Sequence, residues 1–262
     1  MSRACIFCRR EGQRLTLEHV YPDWLSKLFD QKLKGTNEVS GDNIKRIWQG
    51  TVFQHKIKLV CSECNNGWMS TIEGEVKELL TSVAFTHDGC TLSKEDQRRL
   101  SLWVQKTVLV INKAISGDFD IPASFYEQLY DQKQPLANIL VSMGWRIEAD
   151  GSKEQPLATF EIKQVSNIEV EKNSVDAIDT QIERGGLIWV VTLGLGYAVF
   201  HVVGTNLDGH VEVGGGDHRI LSQVNPYTGD LAWPTEWPIE AVGGLQVIRR
   251  GIYGDSPRKE AS

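Results

Sequence analysis

The sequence lacks long apolar runs and has few of the residues that mark specialised protein classes. No stretch approaches the roughly 18 uninterrupted apolar residues of a membrane-spanning helix, and the first ten residues lack the apolar segment of a signal peptide. With 5 cysteines and 8 prolines in 262 residues, neither a disulfide-dense scaffold nor a collagen is expected. Internal repeats and low-complexity segments are also missing. These absences predict a globular protein of the cytoplasm without a membrane partner.

The sequence also lacks an excess of basic residues. Acidic side chains outnumber basic ones, 34 to 28, so an evenly basic nucleic-acid-binding surface is excluded. The balance is uneven, because residues 1–80 hold 12 basic and 10 acidic side chains whereas the remainder has a net charge of −8. Phosphate contacts are therefore expected in the N-terminal part, although interspersed acids are also typical of a solvated surface. The candidates are Arg9, Arg10, Arg14, Lys45, Arg46, Lys56 and Lys58.

Hydrophobic periodicity divides the chain into two parts. A strand is expected over residues 51–60, and from Cys64 onward apolar residues recur every three or four positions, which predicts a helix with one buried stripe. The polar segment 26–50 suits a long excursion or a small insert. Residues 86–91 break the helical pattern, and Ser93 followed by Asp96 is typical of a new helix start. We therefore expect a first domain over residues 1–88 and a second over residues 89–262.

The second part of the sequence predicts two helices followed by a sheet. Beyond Pro135, β-branched residues become frequent, and Gly194 and Gly196 indicate a tight turn between the last two long strands. The fold class is therefore α+β with a mainly antiparallel sheet. The expected helices cover 93–115 and 123–132, and the expected strands cover 138–147, 157–165, 187–193, 197–203 and 245–249.

Four of the five cysteines form two Cys-x-x-Cys pairs, Cys5 with Cys8 and Cys61 with Cys64. Two residues between thiolates let both sulfurs of a tight turn reach one zinc ion at about 2.3 Å, and two such turns complete a tetrahedral site. This site would be structural, because it has no open position for water or substrate. Redox dithiols or buried thiols are the alternatives. Cys90 has no partner at metal spacing and is expected to be an ordinary thiol.

Three polar residues adjoin this cysteine frame. Glu18 and His19 end a predicted extended run shortly before Pro22, and Asn65 directly follows the last cysteine of the pairs. On a regular strand Glu18 and His19 would point to opposite sides, so a local bend is needed for both to reach one site. Because zinc would hold strand and helix together, we expect Glu18, His19 and Asn65 in one cleft. Each residue alone is more typical of a helix cap or a surface position.

The N-terminal motifs resemble a known family. The motifs are Cys5-x-x-Cys8, Leu17-Glu18-His19-Val20-Tyr21-Pro22 and Leu59-Val60-Cys61-x-x-Cys64-Asn65-Asn66-Gly67-Trp68. Their combination resembles a zinc-stapled HNH endonuclease of the His-Me finger, or ββα-metal, type. The resemblance covers about residues 1–80 and implies a treble-clef-like ββα-metal module.

The resemblance also implies a chemistry. His19 would be the general base, Glu18 and Asn65 would be ligands of a catalytic Mg²⁺ or Mn²⁺, and Asn66 is a lesser ligand candidate. A neutral imidazole can take a proton from water at cellular pH, and oxygen ligands suit a hard cation that keeps several waters. The expected reaction is hydrolysis of phosphodiester bonds in nucleic acid, with DNA favoured. A bacterial or phage defence or restriction setting rests on analogy alone.

One element departs from the family pattern. The middle asparagine of the HNH signature, which orients the histidine, is missing from the stretch Phe53-Gln54-His55-Lys56 before the second cysteine pair. His55 is the nearest substitute and Asn43 is the second. A solvated strand residue is the other interpretation of His55.

The function of the second part cannot be read from its motifs. Residues 89–262 contain no nucleotide-binding loop, no catalytic triad spacing and no second set of metal ligands. Five of the 8 tryptophans lie beyond residue 80, which favours a packed core or a protein partner. Recognition of a target, a partner or an effector is the expected role. The alternative for the whole protein is a non-catalytic zinc module that binds nucleic acid or protein, and a redox sensor is a third hypothesis.

Overall fold

Two antiparallel strands that are remote in sequence, together called the β1–β4 hairpin, and a long helix form the N-terminal part of the protein. The computed structural model describes residues 4–28, 35–40, 45–50, 56–86, 88–115, 121–148, 159–165, 187–207 and 219–241. Strand β1 (Leu15–His19) pairs antiparallel with β4 (Lys56–Cys61), so that Leu15 lies opposite Cys61 and His19 lies opposite Lys56. A bulge interrupts the register between Thr16 and Glu18. The hairpin thus contains the local bend that the Glu18–His19 pair requires.

The segment between these strands contains further regular structure. Helix α1 (Asp23–Ser26) follows β1, and β2 (Gly35–Ser40) pairs antiparallel with β3 (Lys45–Gly50). The polar segment predicted as an excursion or insert therefore includes a hairpin. Its sequence has no regular apolar alternation, which is the signal by which a half-buried strand is recognised.

The helix after Cys61 is formed in three consecutive pieces. Helix α2 (Ser62–Cys64) leads into a π-helical turn, Asn65–Met69, and then into α3 (Ser70–Phe85). Gly67 in the turn has non-helical φ and ψ of −94° and −114°, so the helix is kinked there. The buried face of α3 is the predicted apolar stripe, which confirms the helix; its members include Ile72, Val76, Leu80 and Val83.

Two helices and a six-stranded sheet follow. Strand β5 (Cys90–Leu92) precedes α4 (Lys94–Ile115) and α5 (Ala123–Gln132). The Ser93 N–H donates to the Asp96 carboxylate at 3.0 Å, and the Asp96 N–H donates to the Ser93 hydroxyl at 3.3 Å. These reciprocal bonds satisfy free N–H groups in the first turn of α4 and confirm the predicted helix start.

The sheet is largely antiparallel, as the sequence predicts. The strands are β6 (Ile139–Glu148), β7 (Thr159–Val165), β8 (Ile188–Leu195), β9 (Ala198–Thr205), β10 (Ser222–Asn225), β11 (Leu231–Trp233) and β12 (Ile239–Ala241). The strand order of the sheet is β10-β6-β9-β8-β7, and β12 pairs with β6 in parallel. Strand β11 pairs separately with β5. The β8–β9 hairpin turns at Gly196, whose φ of +54° favours glycine. The predicted strand 245–249 lies outside the described residues.

One hydrophobic core runs through both parts of the chain. Its members extend from Cys5 in the N-terminal part to Trp233 in β11, and α3 packs against α4. Helix α4 is covered on every side, since all its residues from Leu100 to Asn112 are buried. Two independent domains would each have a core of their own, whereas here one core is shared. The division of the chain into two domains at residue 88 therefore stays a prediction. Among the described residues, no helix is both long and apolar enough to cross a membrane.

We expect Gly204→Ala to destabilise the protein, because a Cβ at this position in β9 would overlap the ring of the buried Trp189 on the neighbouring strand. The expected loss is about 1–3 kcal/mol, the usual range for an overpacked core. Gly74→Ala, at an exposed position of α3 with no atom within 4 Å, is the matched control. It should add about 0.5–1 kcal/mol through helix propensity. Denaturant unfolding of both variants checks the contrast, which equal effects would contradict.

Candidate functional site

Two Cys-x-x-Cys pairs, far apart in sequence, meet in space. The sulfur atoms of Cys5, Cys8, Cys61 and Cys64 all lie within 4.8 Å of one another, and the Cys8 and Cys61 sulfurs are 3.7 Å apart. Tetrahedral Zn–S bonds of about 2.3 Å place neighbouring sulfurs about 3.8 Å apart. The cluster can therefore hold a metal ion such as zinc. Within the described ranges, no second group of three or more His, Cys, Asp or Glu side chains converges in this way.

Backbone hydrogen bonds build the first knuckle against the hairpin. The Arg9 N–H donates to the Cys5 carbonyl at 3.1 Å, and Arg9 has a left-handed φ of 58° that closes the turn. The Ile6 N–H donates to the Leu59 carbonyl of β4 at 3.0 Å. The second cysteine pair begins at the end of β4 and ends in α2. One metal ion at the cluster would thus join the knuckle, the hairpin and the helix.

The thiols of the cluster are electrostatically unequal. The pKa of Cys5 is lowered because the Cys64 thiol donates to its sulfur and backbone N–H groups, including that of Cys61, also point at it. The pKa of Cys64 is raised, first by this hydrogen bond to Cys5 and then by burial. One sulfur therefore carries negative charge readily, and its N–H donors are those that stabilise a metal thiolate.

A chain of hydrogen bonds fixes the amide of Asn65. The Thr16 hydroxyl donates to the Val60 carbonyl at 3.1 Å, and Asn65 Nδ2 lies 3.0 Å from the Thr16 Oγ1. Since a carbonyl only accepts, the single hydroxyl proton of Thr16 points at Val60, and Thr16 accepts from Asn65. The amide nitrogen of Asn65 is therefore used in this bond. Its Oδ1, the atom that can bind a hard cation, is left for another partner.

Glu18 is buried beside charged residues of two helices. Glu18 is only 4% exposed, and burial raises the pKa of its carboxyl from 4.5 to about 7. The Lys106 ammonium of α4 opposes this rise, whereas the Glu73 carboxylate of α3 adds to it. Lys106 is completely buried and its Nζ lies 2.7 Å from Glu73 Oε1. Glu18 is thus buried within the electrostatic influence of the Lys106–Glu73 ion pair.

His19 lies at the accessible end of the hairpin. Its side chain is 29% exposed, and its Nε2 is 4.0 Å from the Asp23 Oδ1 in α1. This distance is too long for a hydrogen bond but places an acceptor near the imidazole. Asp23 also pairs with Lys27 at 3.2 Å.

The predicted catalytic residues share the hairpin–helix unit but have different immediate contacts. Asn65 bonds Thr16, Glu18 interacts electrostatically with Lys106 and Glu73, and His19 lies near Asp23. The convergence of Glu18, His19 and Asn65 on one point stays a prediction. Asn66 is exposed at the π-helical turn. His55, the predicted orienting residue, and Asn43 lie outside the described residues.

The candidate phosphate-binding residues separate into three sets. Arg9 pairs with Glu127 at 3.1 Å, and Arg10 contacts Glu63 and the Tyr130 hydroxyl. These two guanidinium groups are already neutralised by acids. Of Lys45 and Arg46, only the backbone in β3 is described. The remaining three are exposed and form no ion pair with the rest of the described chain: Arg14, Lys56 and Lys58.

Sequence reasoning missed Thr16, Glu73 and Lys106. Lys106 lies in the apolar half of α4, where a lysine is expected to be buried only with a partner. That rule signals that some acid must face it, but sequence does not say which acid. Thr16 carries no signal of its own, since threonine is common in strands.

We expect Cys61→Ser to abolish zinc binding and to lower the unfolding midpoint, because it removes one of four ligands of a site with an apparent binding free energy of about 10–16 kcal/mol in small zinc domains. Cys90→Ser is the matched control, because Cys90 lies in β5 outside the cluster. Metal analysis should give a single zinc ion per chain for wild type and for the control. Full zinc content in Cys61→Ser would contradict the four-sulfur site.

Glu18 should make stability depend on pH. A carboxyl whose pKa is raised to about 7 in the folded state and is 4.5 when unfolded costs stability as pH rises through this window. Relative to wild type, Glu18→Gln should therefore gain about 1 kcal/mol between pH 6 and pH 8. Denaturant unfolding of zinc-loaded protein without added Mg²⁺ measures this difference. A constant difference across this range would show that the raised pKa is wrong.

Comparisons with family models, with curated proteins and with solved structures find no significant match to the chain. The functional argument therefore rests on the residues of the cysteine cluster, the hairpin and the helix that follows it.

Proposed function

We propose that the protein is a metal-dependent endonuclease of the HNH type. One observation carries the proposal: a four-cysteine cluster joins the β1–β4 hairpin to the following helix, and this unit bears Glu18, His19 and Asn65. The three side chains have the types and sequence positions that the family resemblance requires. The cysteine cluster has no free ligand position, so its role is to hold the unit together.

His19 is the proposed general base. Its partial exposure gives water access to the imidazole, and histidine is the side chain that most often acts as a general base. The nearby Asp23 carboxylate stabilises the imidazolium that forms when His19 removes a proton from the attacking water. Asp23 is a further candidate for the orienting role for which His55 was the first candidate, and at 4.0 Å it would have to approach His19 to form a hydrogen bond.

Glu18 and Asn65 are the proposed ligands of a catalytic Mg²⁺ or Mn²⁺. Their donor atoms fit a hard cation, because a carboxylate and an amide carbonyl are both oxygen ligands. Because the Asn65 amide nitrogen donates to Thr16, Oδ1 is the amide atom that would bind the cation. A cation bound there would polarise the phosphate and stabilise charge on the departing oxygen.

Nucleic acid, with DNA favoured, is the proposed substrate. Arg14, Lys56 and Lys58 are exposed on the same hairpin as His19, and exposed cations are what phosphate groups bind. A cytoplasmic setting and a defence or restriction role are consistent with such an activity. The second part of the chain would then recognise a target, a protein partner or an effector.

A second candidate function has its own supporting observation. Glu18 is almost completely buried and interacts electrostatically with Lys106 and Glu73. A carboxylate used in this way can be structural, and the protein would then be a non-catalytic zinc module that binds nucleic acid or protein. The two functions differ in whether phosphodiester bonds are cut.

The decisive measurement is cleavage of plasmid DNA and of single-stranded DNA and RNA by zinc-loaded protein with Mg²⁺ or Mn²⁺. His19→Ala should lower the rate about 10²- to 10⁴-fold, the usual contribution of a general base. Glu18→Gln should raise the Mg²⁺ concentration needed for half-maximal rate, because it removes a charged ligand.

Glu78→Gln, at an exposed glutamate of α3, is the control for loss of a carboxylate and should cut like wild type. Zinc content and circular dichroism must match among all variants. If wild type binds nucleic acid but cuts none of these substrates, the non-catalytic module is the correct function. Cutting that survives in His19→Ala would show that another group is the base.

A further inference from the structure

The loop that joins the first cysteine pair to β1 is rich in arginine. Arg9, Arg10 and Arg14 are all exposed in the segment 9–14, which we call the arginine loop. Arg14 forms no ion pair with the described part of the chain, whereas Arg9 and Arg10 each pair with an acid. Guanidinium groups bind phosphate and carboxylate oxygens with the same geometry. The arginine loop therefore has the chemistry of a phosphate-binding surface.

Helix α5, from the second part of the chain, contacts two of these arginines. The Arg9 Nε lies 3.1 Å from the Glu127 Oε1, and the Arg10 Nη2 donates to the Tyr130 hydroxyl at 3.0 Å. Arg10 also pairs with Glu63 of α2. Glu127 and Tyr130 are three residues apart, so one face of α5 supplies both contacts. Helix α5 is therefore placed to compete with a phosphate group for the arginine loop.

Aromatic side chains hold α5 beside the loop. The Phe7 ring packs against Tyr126 with ring centroids 5.7 Å apart, and the Trp68 ring packs against Tyr130 with centroids 6.3 Å apart. Phe7 and Tyr126 are completely buried. Close packing of this kind limits the movement of the helix relative to the N-terminal part. The carboxylate of α5 therefore stays within reach of the loop in the free protein.

Acids cancel the charge of the arginine loop. The loop itself contains Glu11, and Glu63 and Glu127 pair with two of its guanidinium groups. Three acids thus balance three arginines, and Glu127 is the acid that the second part of the chain contributes. Loss of its charge would leave the loop with a net positive charge, which favours nucleic acid.

The backbone of Arg9 points to a use for its side chain other than stability. Its φ of 58° is left-handed, a conformation that is unfavourable for a residue with a side chain and that glycine adopts freely. The ion pair with Glu127 gains little in return, because both side chains are about half exposed. Glycine would close the same turn at a lower cost. An arginine at this position is therefore explained better by binding than by stability.

We propose that Glu127 of α5 withholds Arg9 from nucleic-acid phosphates, so that the second part of the chain limits the affinity of the N-terminal part for nucleic acid. The carboxylate and the phosphate compete for the guanidinium, since both accept its N–H groups. Displacement of α5 would then strengthen nucleic-acid binding. This inference rests on the proposed function in one respect, because it takes nucleic acid as the partner.

The test is binding of a fluorescein-labelled DNA duplex to full-length, zinc-loaded protein. Fluorescence anisotropy measures it without added Mg²⁺ or Mn²⁺, between about 50 and 200 mM NaCl. Glu127→Gln should bind at least about threefold more tightly than wild type at the lowest salt concentration. The plot of log affinity against log salt concentration should also become steeper by about one, because one more phosphate contact releases about one more counterion.

Asp131→Asn is the matched control. It removes the same charge from an exposed residue of α5 that forms no ion pair with the described part of the chain. This control should change DNA affinity less than about 1.5-fold, because an exposed charge without a direct contact is screened by salt. Equal gains in Asp131→Asn and Glu127→Gln would show a general charge effect and would overturn the proposal.

A double variant tests whether the effect passes through Arg9. In the Arg9→Gln background, Glu127→Gln should change affinity by less than about 1.5-fold, because the group that Glu127 withholds is gone. An equal gain in both backgrounds overturns the proposal, as does unchanged or weaker binding in Glu127→Gln alone. These substitutions are at exposed or half-exposed side chains, so the fold should be retained, which zinc content and circular dichroism check.

Cleavage assays separate failure of this inference from failure of the proposed function. If wild type cuts DNA and His19→Ala does not, but Glu127→Gln binds DNA like wild type, only the role of Glu127 is refuted. If Glu127→Gln binds more tightly through Arg9 while no variant cuts, the inference stands for a non-catalytic module and the nuclease proposal fails. If neither wild type nor any variant binds nucleic acid, the proposed function fails and this inference fails with it.

Discussion

The meeting of four sulfur atoms is the constraint on which the N-terminal part depends. Fifty-two residues separate Cys8 from Cys61, yet their sulfurs are 3.7 Å apart. Closing a chain segment of this length costs little more than closing a shorter one, since the entropy grows only with the logarithm of length. A metal ion at the cluster would repay that cost and align β1, β4 and the helix at their common end. The positions of His19 and Asn65 follow from this alignment.

The second determinant is charge that is largely shielded from water. Lys106 is fully buried and pairs with Glu73, which is 20% exposed. Burial raises the pKa of Glu18 to about 7, and the Glu73 carboxylate adds to this rise. Burying such groups is expensive, and a hydrophobic replacement of similar size is often no less stable. Charges retained in a core therefore suggest a purpose other than stability. Here they lie where the hairpin, α3 and α4 come together.

Local sequence patterns were sufficient for much of the fold. The apolar stripe after Cys64 predicted α3, the Ser93–Asp96 pair predicted the start of α4, and the glycines at 194 and 196 predicted the β8–β9 turn. These features depend on contacts between residues near in sequence. Strands β5 and β11 were not predicted, because each has three residues and exists only through pairing with the other. The kink at Gly67 was missed since a single glycine does not reveal which helical geometry follows it.

The candidate site was predictable only in part for the same reason. Cysteine spacing led to the cluster, and the Glu-His and Cys-Asn motifs led to the proposed catalytic residues. Their partners come from elements remote in sequence, so the electrostatic effect of the Lys106–Glu73 pair on Glu18 and the Thr16–Asn65 bond could not be derived from spacing. The pairing of Arg9 and Arg10 with acids was equally hidden, because Glu127 lies more than 100 residues from Arg9 and Glu63 lies 53 residues from Arg10.

The tip of the first knuckle has a consequence for communication within the molecule. Phe7 packs edge-on against Trp68, with ring centroids 5.1 Å apart. It also packs against Tyr126 of α5, with ring centroids 5.7 Å apart. Aromatic groups packed this closely cannot reorient independently. A metal ion at the sulfur cluster would therefore fix the loop between Cys5 and Cys8, and with it the ring against which Trp68 and Tyr126 pack. Helix α5 would thus rest on a surface whose rigidity depends on the metal.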